Sequence, residues 1–369
     1  MFKRLGWIAV LLAVLLVMVA PAAAQDEVST VCLVTDLGRI NDGTFNEFAY
    51  EGMLAGAEEG GLDTTYIETQ QQTDYATNID TCIKENYDVI VTVGFLLADA
   101  TMEAAKANPD TYFIGVDHFV ADGPENYVGI QFREDQSAFL VGSLAALVSE
   151  SGTIGGVYGI DVPPVVRFRN GYEQGIKFMG QLLEKEFTIL GVYIPSFTDP
   201  AAGGAAAAQF IGEGADVLFG GGGPTGSGAI VAGAQAGVWV IGVDQDEYFS
   251  TFGGGSAEGS DKIISSGIKR VDVGVHDMVL ALAEGRMDDF PGGSNYVLDI
   301  SNGGMTFAGP NDAEIPEEYY TFVKTIETAL GDGTLETGVN PGTTEVDVTV
   351  EDIIKNMKFE PDLSILKME

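Results

Sequence analysis

Short apolar runs alternate with segments of helical spacing along the first third of the chain. Val31 to Thr35 is an apolar run that ends in the polar sequence Asp36-Leu37-Gly38. Apolar residues then recur at Phe45, Phe48 and Ala49, a spacing typical of a helix capped near Asp42 or Thr44. The same alternation predicts strands at Thr64–Glu68, Asp88–Val93 and Tyr112–Val116, and helices at Tyr75–Asn86 and Asp99–Ala107. Short apolar strands separated by helices indicate a parallel sheet covered on both faces.

The alternation starts again after residue 126. It predicts strands at Asn126–Gln131, Gly152–Tyr158, Thr188–Tyr193, Ala215–Phe219, Val238–Val243 and Lys262–Ser266, and helices at Asp135–Glu150, Val166–Lys185, Gly203–Gly212, Ser227–Ala236 and Val271–Glu284. Two such series in one chain predict two similar α/β lobes, each with a doubly wound parallel sheet. The carboxyl ends of the strands of both lobes would then face a shared cleft.

The first 24 residues have the features of a secretory signal peptide. Lys3 and Arg4 precede an apolar run from Leu5 to Val19, and the small residues Ala22-Ala23-Ala24 follow. This order predicts cleavage before Gln25 and an exported protein, in the periplasm or at the extracellular face of the membrane. An uncleaved anchor helix is the alternative, although the run is short for a span. No cysteine follows the run, so we see no lipoprotein site.

The charge balance excludes several kinds of partner. The chain contains 18 Lys and Arg against 55 Asp and Glu, a formal net charge of −37. Such a surface repels phosphate backbones and anionic lipid headgroups, so we expect no nucleic-acid partner. The carboxylates otherwise keep the protein soluble.

The two cysteines, Cys32 and Cys82, both follow the predicted cleavage site. Disulfides persist in exported proteins, and the spacing fits no zinc or redox motif. The sequence therefore leaves two alternatives for these cysteines, a Cys32–Cys82 disulfide or two buried thiols.

Polar residues stand where ligands of open parallel sheets bind, just beyond the strand ends. Asp36, Asp117 and Asp244 each follow an apolar strand. A carboxylate there can accept hydrogen bonds from two donors of a ligand, such as vicinal hydroxyls, although a turn or cap role is the alternative. Asp117 and Asp244 end the near-identical sequences Ile114-Gly-Val-Asp and Ile241-Gly-Val-Asp, so both positions meet the same structural demand. At the first helix start the candidates are Asn41, Asp42, Phe45 and Asn46.

A glycine-rich turn follows the predicted strand at 215–219. Gly221-x-Gly223-x-x-Gly226 opens a helix and formally matches the dinucleotide-binding pattern. Pro224 within the turn and the export signal argue against a dinucleotide, and no Lys-Ser/Thr follows as in a phosphate-binding loop. We expect the backbone here, including Gly222, to approach a neutral ligand closely.

Catalytic and metal-binding motifs are sparse. His118 and His276 are the only histidines, and no G-x-S-x-G nucleophile turn occurs. His118 follows Asp117 and could titrate near neutral pH, but a lone histidine is more often structural. The sequence therefore predicts no enzyme, no metal and no cofactor.

The chain resembles the basic membrane protein family, which includes the purine nucleoside receptor lipoproteins. The resemblance runs from about Val31 to Gly338, and its motifs are Val34-Thr-Asp-Leu-Gly38, Ile40-Asn-Asp42, Thr44-Phe-Asn46, Val91-Thr-Val-Gly-Phe95, Pro163-Pro-Val-Val-Arg-Phe168, Gly171-Tyr172, the turn from Gly221 to Gly228, Gly237 to Asp246, and Ser265 to Asp272. It implies the type I periplasmic-binding-protein fold, with two lobes joined by a hinge, and a substrate-binding role for an ABC importer.

The resemblance also implies roles for individual residues. Phe45 and Phe168, which would otherwise be assigned to the core, would hold a purine ring between them. Base contacts are assigned to Asp36, Asn46 and Asp117, and the ribose diol to Asp244, helped by Lys269 and the backbone of Gly222. The implied ligand is a purine nucleoside of the adenosine, guanosine or inosine type, and the implied partner is a membrane permease.

The same resemblance suggests a division of the chain. Lobe 1 would hold residues 26–133 and 268–290, and lobe 2 residues 134–267 and 291–338. The hinge would cross near Gln131–Glu134, Asp246 and Gly267. Residues 339–369 lie outside the resemblance, and the alternation Glu345 to Val350 within them could form an added edge strand. We expect a monomer.

Three departures and three alternatives remain. Arg39 replaces a common glycine of the family, Phe249-Ser-Thr-Phe252 follows the Asp244 strand, and the lipoprotein cysteine is absent. The first two could alter ligand choice or hinge behaviour. A binding protein for another small polar ligand such as a sugar, a sensing receptor, and a nucleoside hydrolase are the alternative functions.

Overall fold

Two six-stranded sheets form the framework of the protein. The computed structural model describes residues 28–366, so the expected signal peptide lies outside the described residues. The strand order is β11-β5-β4-β3-β1-β2 in the first sheet and β12-β10-β9-β8-β6-β7 in the second. All pairings are parallel except that of β10 with β12. The expected α/β architecture with two parallel-sheet lobes is confirmed.

The first sheet and its helices come mainly from the first third of the chain. The elements are β1 (Thr30–Val34), α1 (Phe45–Gly60), β2 (Asp63–Ile67), α2 (Tyr75–Lys84), β3 (Val89–Val93), α3 (Ala98–Ala107), β4 (Tyr112–Val116) and β5 (Tyr127–Phe132). Every residue of β3 is buried, because helices cover both faces of the sheet. A disulfide between Cys32 and Cys82 joins β1 to α2.

The second sheet follows, and the chain then returns to both sheets. The elements are α4 (Glu134–Val148), β6 (Thr153–Tyr158), α5 (Pro163–Leu183), β7 (Thr188–Tyr193), α6 (Pro200–Gly212), β8 (Val217–Gly221), α7 (Gly223–Gln235), β9 (Trp239–Asp244), α8 (Glu247–Ser250), β10 (Ile263–Lys269), α9 (Val271–Ala283), β11 (Asn295–Leu298), β12 (Met305–Phe307), α10 (Glu317–Gly331) and α11 (Val350–Asn356).

The crossings between the sheets differ in part from the expectation. The chain crosses after β5, after β10 and between β11 and β12. The expected crossing at Asp246 is wrong, because the strands on either side of it, β9 and β10, are neighbours in the second sheet. The chain is expected from the sequence to return to lobe 2 at residue 291. It returns later, after β11, because β11 pairs with β5 in the first sheet.

Two element ends differ from the sequence prediction in ways that shape the cleft. Helix α7 begins at Gly223 rather than Ser227, because Gly222 and Gly223 turn the chain with positive φ values of 113° and 61°. Pro224 fits the first turn of the helix, where its missing N–H has no intrahelical partner. Strand β10 continues to Lys269 rather than Ser266, which brings that lysine to the strand end.

Helices α4 and α5 pack closely because of glycines. A Cβ at Gly171 would lie 2.2 Å from the backbone oxygen of Asp135, and a Cβ at Gly142 would lie 2.2 Å from that of Tyr172. Only glycine permits this approach of the two backbones. The contact holds α4 against the middle of α5, whose first turns line the cleft.

The C-terminal extension lies along α5 instead of adding a strand. The expected edge strand at residues 345–350 is wrong: this segment makes one isolated bridge, between Val339 and Val346, and continues into α11. The amides of Asn170 and Gln174 on α5 donate to the backbone oxygens of Thr344 and Val348 at 2.8 and 3.3 Å. Within residues 28–366, no helix is long and apolar enough to cross a membrane.

Candidate functional site

One cleft between the lobes collects most of the residues that the sequence singled out. Eight of the nine ligand candidates line it, namely Asp36, Phe45, Asn46, Asp117, Phe168, Gly222, Asp244 and Lys269. The ninth, Asn41, is exposed and does not line the cleft, so its assignment is not supported by the geometry. The space between the atoms that line the cleft is about 690 Å³, a figure that includes open solvent.

Helix N-termini from both lobes face this cleft. Phe45 begins α1 in the first lobe, and Gly223 begins α7 in the second. Pro164, in the first turn of α5, also lines it. Free N–H groups at such ends favour ligands that accept hydrogen bonds.

Asp117 and Asp244 occupy equivalent positions in the two lobes. Each follows its strand with a left-handed backbone conformation, φ 64° at Asp117 and 68° at Asp244. Aspartate tolerates this region better than most residues because its short side chain can hydrogen-bond locally. The repeated sequence therefore places two carboxylates on opposite walls of the cleft.

Lys269 joins the two lobes through a buried ionic network. Its ammonium donates to both carboxylate oxygens of Asp117, at 2.7 and 2.8 Å, and to Glu134 at 2.9 Å. Arg167 pairs with the other oxygen of Glu134 at 2.5 Å. Burial opposes the charge of Lys269, but the two carboxylates outweigh it and raise the pKa of the ammonium. Although burial also penalises the charge of Glu134, Arg167 and Lys269 hold its pKa below the usual value.

Asn46 connects Asp36 with Asp42 at the base of the first lobe. Its side-chain N–H₂ donates to Asp36 Oδ1 at 2.9 Å and to Asp42 Oδ2 at 3.0 Å, while its oxygen accepts from the Asp36 amide at 3.3 Å. Asp42 also accepts from the amides of Thr44 and Glu47, and so caps α1. Both Asn46 donors are thus used within the protein.

Asp36 keeps one oxygen open to the cleft. Oδ1 accepts from the Gly38 amide at 2.8 Å as well as from Asn46, whereas no residue among those described donates to Oδ2. Burial is the main reason that its pKa rises to about 6. A ligand with an N–H donor would stabilise the charged form.

The Asp244 carboxylate is the most available acceptor in the cleft. It is 5% exposed, and no hydrogen bond to it comes from the described part of the chain. Burial raises its pKa to about 8, and the positive charge of Lys269 offsets only part of this. A buried carboxylate without donors is costly, and two ligand hydroxyls would supply them.

Phe45 and Phe168 approach the same point from opposite lobes. The Lys269 ammonium lies 5.0 Å from the Phe45 ring centre and 5.8 Å from that of Phe168. Phe168 also packs against Phe219, with ring centres 6.3 Å apart. Both rings line the cleft, although Phe168 also belongs to the second-lobe core and Phe45 also packs against the first-lobe core.

His118 lies away from the cleft, packed in the first lobe. Its ring nitrogens contact the Tyr127 hydroxyl at 2.5 Å and the Gly94 backbone oxygen at 2.8 Å. Burial lowers its pKa to about 4, which agrees with the structural role that the sequence favoured and not with titration near neutral pH. Within residues 28–366, no group of three or more His, Cys, Asp and Glu side chains could hold a metal ion.

Several residues of the site were missed by the sequence analysis. Phe197 contributes a further aromatic wall, and of the two neighbouring candidates at the first helix start it is Asp42, not Asn41, that lines the cleft. Glu134 begins α4 directly after a strand end, so the strand-end rule could have found it. Nothing in the sequence indicates that Phe197, in a loop after β7, reaches the cleft.

The fold and the cleft define a two-lobed solute-binding protein. A crystal structure of an ABC transporter solute-binding protein from Aeropyrum pernix is similar, with a TM-score of 0.69 and 28% identity over 89% of this chain and 85% of that one. A family model for PnrA-like ABC transporter substrate-binding proteins (Bmp) matches residues 29–325. The chain belongs to this family.

Curated relatives agree with the family assignment. An ABC transporter nucleoside-binding protein, BmpA of Lactococcus lactis, is 33% identical over 287 residues, 74% of this chain and 79% of the relative. Basic membrane protein A of Borreliella burgdorferi is 31% identical over 278 residues, 74% and 77%. The resemblance noted in the sequence is confirmed: the protein is an extracytoplasmic solute-binding protein of an ABC transporter, with a small-molecule ligand and a permease partner, and not an enzyme.

Proposed function

We propose that this protein binds a purine nucleoside in the cleft between its lobes and delivers it to the permease of an ABC importer. The observation that carries the proposal is the joint placement of Phe45, Phe168 and Asp244 around one cavity. Two rings offer faces to a heterocycle, and an unpartnered carboxylate offers two acceptors to a ribose diol. The nucleoside-binding name of the Lactococcus lactis relative supports the same ligand class.

The base would stack between the aromatic rings. Stacking on an aromatic side chain is worth ~1–3 kcal/mol per base. The free oxygen of Asp36 would accept a donor of the purine edge. Asn46 and Asp117 would then act as positioning residues, because their polar atoms are already engaged by Asp42 and Lys269.

The sugar would bind at the second lobe. Asp244 would accept both ribose hydroxyls, in charge-assisted hydrogen bonds of roughly 1.5–3 kcal/mol each. The Gly222 backbone also lines the cleft and would lie close to the sugar. Lys269 would offset part of the negative charge. A nucleoside carries no phosphate, so the acidic surface does not repel it.

Delivery would follow from opening and closing of the lobes about their three crossings. We propose that the chain acts as an exported monomer after cleavage before Gln25. Residues of both lobes line the cleft, so closure would complete the site.

Native mass spectrometry tests the ligand class. The ligand-free protein is mixed with equimolar adenosine, guanosine, inosine, ribose and glucose, and the masses of the complexes are recorded. We expect one or more purine nucleoside complexes to dominate. Sugar complexes without nucleoside complexes would contradict the proposal, as would the absence of any nucleoside complex. Release of free base during the incubation would favour the hydrolase instead.

A further inference from the structure

The two lobes touch directly through two hydrogen bonds next to the cleft. The Ser250 hydroxyl, in the second lobe, donates to the Gly43 backbone oxygen of the first lobe at 2.7 Å. The Gln245 side-chain amide donates to the Thr44 backbone oxygen at 3.3 Å. Neither Gln245 nor Ser250 lines the cleft. Ser250 belongs to the segment Phe249-Ser-Thr-Phe252 after β9 that departs from the usual family pattern, whereas Gln245 lies in the matching motif from Gly237 to Asp246.

We propose that Gln245 and Ser250 form a latch that holds the lobes closed, in the ligand-free as well as in the ligand-bound protein, and thereby sets how long the ligand is retained. The inference concerns closure and does not depend on which solute is bound.

The second-lobe side of the latch is built rigidly. The buried Glu247 carboxylate accepts from the Val243 amide at 3.0 Å, the Ser227 hydroxyl at 2.7 Å and the Thr251 hydroxyl at 2.6 Å. These bonds tie the segment between Gln245 and Ser250 to the end of β9 and to α7. The two donors therefore lose little conformational freedom when the lobes meet.

The first-lobe side is equally fixed. The Gly43 amide donates to Glu47 at 2.7 Å, and the Thr44 amide donates to Asp42 at 3.0 Å. The two acceptor carbonyls therefore stand at a capped helix start. Since both acceptors are backbone atoms, the latch can be removed by changing the second lobe alone.

Carboxylates of the two lobes repel each other across the cleft, and the latch opposes this repulsion. Burial is the main reason that the pKa values of Asp244 and Glu247 in the second lobe are raised, and the charge of Asp42 in the first lobe adds a smaller contribution to both. This repulsion favours opening when no ligand supplies donors. Direct lobe-to-lobe hydrogen bonds offset it.

The test uses three latch variants, namely Ser250→Ala, Gln245→Ala and the double variant that carries both changes. Ser256→Ala is the control. The control removes a matched bond, from a serine hydroxyl to the Gly253 backbone oxygen at 2.9 Å, that lies wholly within the second lobe. Spin labels are attached at two exposed positions, Glu58→Cys on α1 and Ala208→Cys on α6. Pulsed electron paramagnetic resonance then measures the distance between the two lobes. Adenosine, guanosine and inosine are the binding probes.

We expect each latch variant to lower the closed-to-open ratio of the ligand-free protein about two- to tenfold, the equivalent of one net hydrogen bond. The dissociation rate of the bound nucleoside should rise by a similar factor, while Ser256→Ala matches the wild type. A distance distribution of the double variant equal to that of the wild type would overturn the latch. If the wild type binds none of the three nucleosides, the proposed ligand is wrong, and the distance measurement still decides the latch.

Discussion

Asp117 and Asp244 end corresponding strands in the same left-handed conformation, yet only Asp117 has a protein partner. Both oxygens of Asp117 are held by Lys269 at 2.7 and 2.8 Å. No described residue donates to Asp244. The repeated sequence thus produces one carboxylate that is paired with Lys269 and one to which the proposed function assigns the ligand.

Replacement of Asp244 by Asn should change how stability depends on pH. The pKa of Asp244 is raised to about 8, so the folded protein holds a proton that the unfolded chain releases near pH 4. Stability from this group is present below pH 4 and is lost as the pH rises towards 8. We expect Asp244→Asn to flatten the decline in unfolding free energy between pH 5 and about 8, measured by denaturant titration. Asp110→Asn, at an exposed site of the first lobe, is the control. A parallel profile for Asp244→Asn and the wild type would contradict the assignment.

Nucleoside binding should release a proton. Ribose hydroxyls that donate to Asp244 favour its charged form and lower its pKa from about 8. Affinity should therefore rise between pH 6 and about 8, by at most tenfold per pH unit. Calorimetry in buffers of different ionisation enthalpy measures the proton, and a 2′,3′-dideoxynucleoside, which lacks the diol, should show a flatter dependence. Equal proton release with both ligands would mean that Asp244 does not contact the diol.

Truncation of the first-lobe ring should weaken binding without unfolding the protein. Phe45 is half-buried at the cleft, so Phe45→Ala removes a stacking face worth ~1–3 kcal/mol and should raise Kd roughly 5- to 150-fold. Phe48→Ala is the matched control, since Phe48 lies on the same helix and packs against the same first-lobe core as Phe45 but does not line the cleft. Similar Kd changes in both variants, measured by titration calorimetry, would show that the effect comes from helix packing.

Loss of the buried cation should destabilise the protein strongly. Lys269→Met leaves Asp117 and Glu134 without their shared donor, and breaking a buried pair in this way typically costs ~3–5 kcal/mol. Adding Asp117→Asn should restore part of the unfolding free energy in urea. The exposed pair of Lys106 with Glu103 provides the control, where Lys106→Met should cost at most about 1 kcal/mol. A Lys269→Met variant as stable as the control would refute the network.

The sequence predicted the walls of the cleft better than the contacts within it. Strand-end positions follow from the alternation of strands and helices, and this placed Asp36, Asp117 and Asp244 correctly at the cleft. Which carboxylate remains free depends on a lysine brought in from β10, beyond the predicted end of that strand. A pairing between residues so far apart in the chain cannot be predicted from the local sequence.

Two further features of the structure could not be predicted from the sequence for the same reason. Asn41 and Asp42 are adjacent and equally polar, and only the capping geometry of α1 decides that Asp42 faces the cleft. Gln245 and Ser250 gain their partners only when the lobes close on each other. The positions of residues within one lobe can be predicted from the periodicity of hydrophobic residues, whereas contacts between the lobes depend on the assembled fold.

The most direct test of the nucleoside assignment is a titration of one nucleoside against its separate parts. Ligand-free wild type and Asp244→Ala are titrated calorimetrically with guanosine, guanine and ribose, and the set is repeated with adenosine and inosine and their bases. The account predicts that at least one intact nucleoside binds far more tightly than its base or ribose, and that Asp244→Ala reduces this advantage at least tenfold. Unchanged nucleoside affinity in Asp244→Ala, or ribose binding as tightly as the nucleoside, would contradict it.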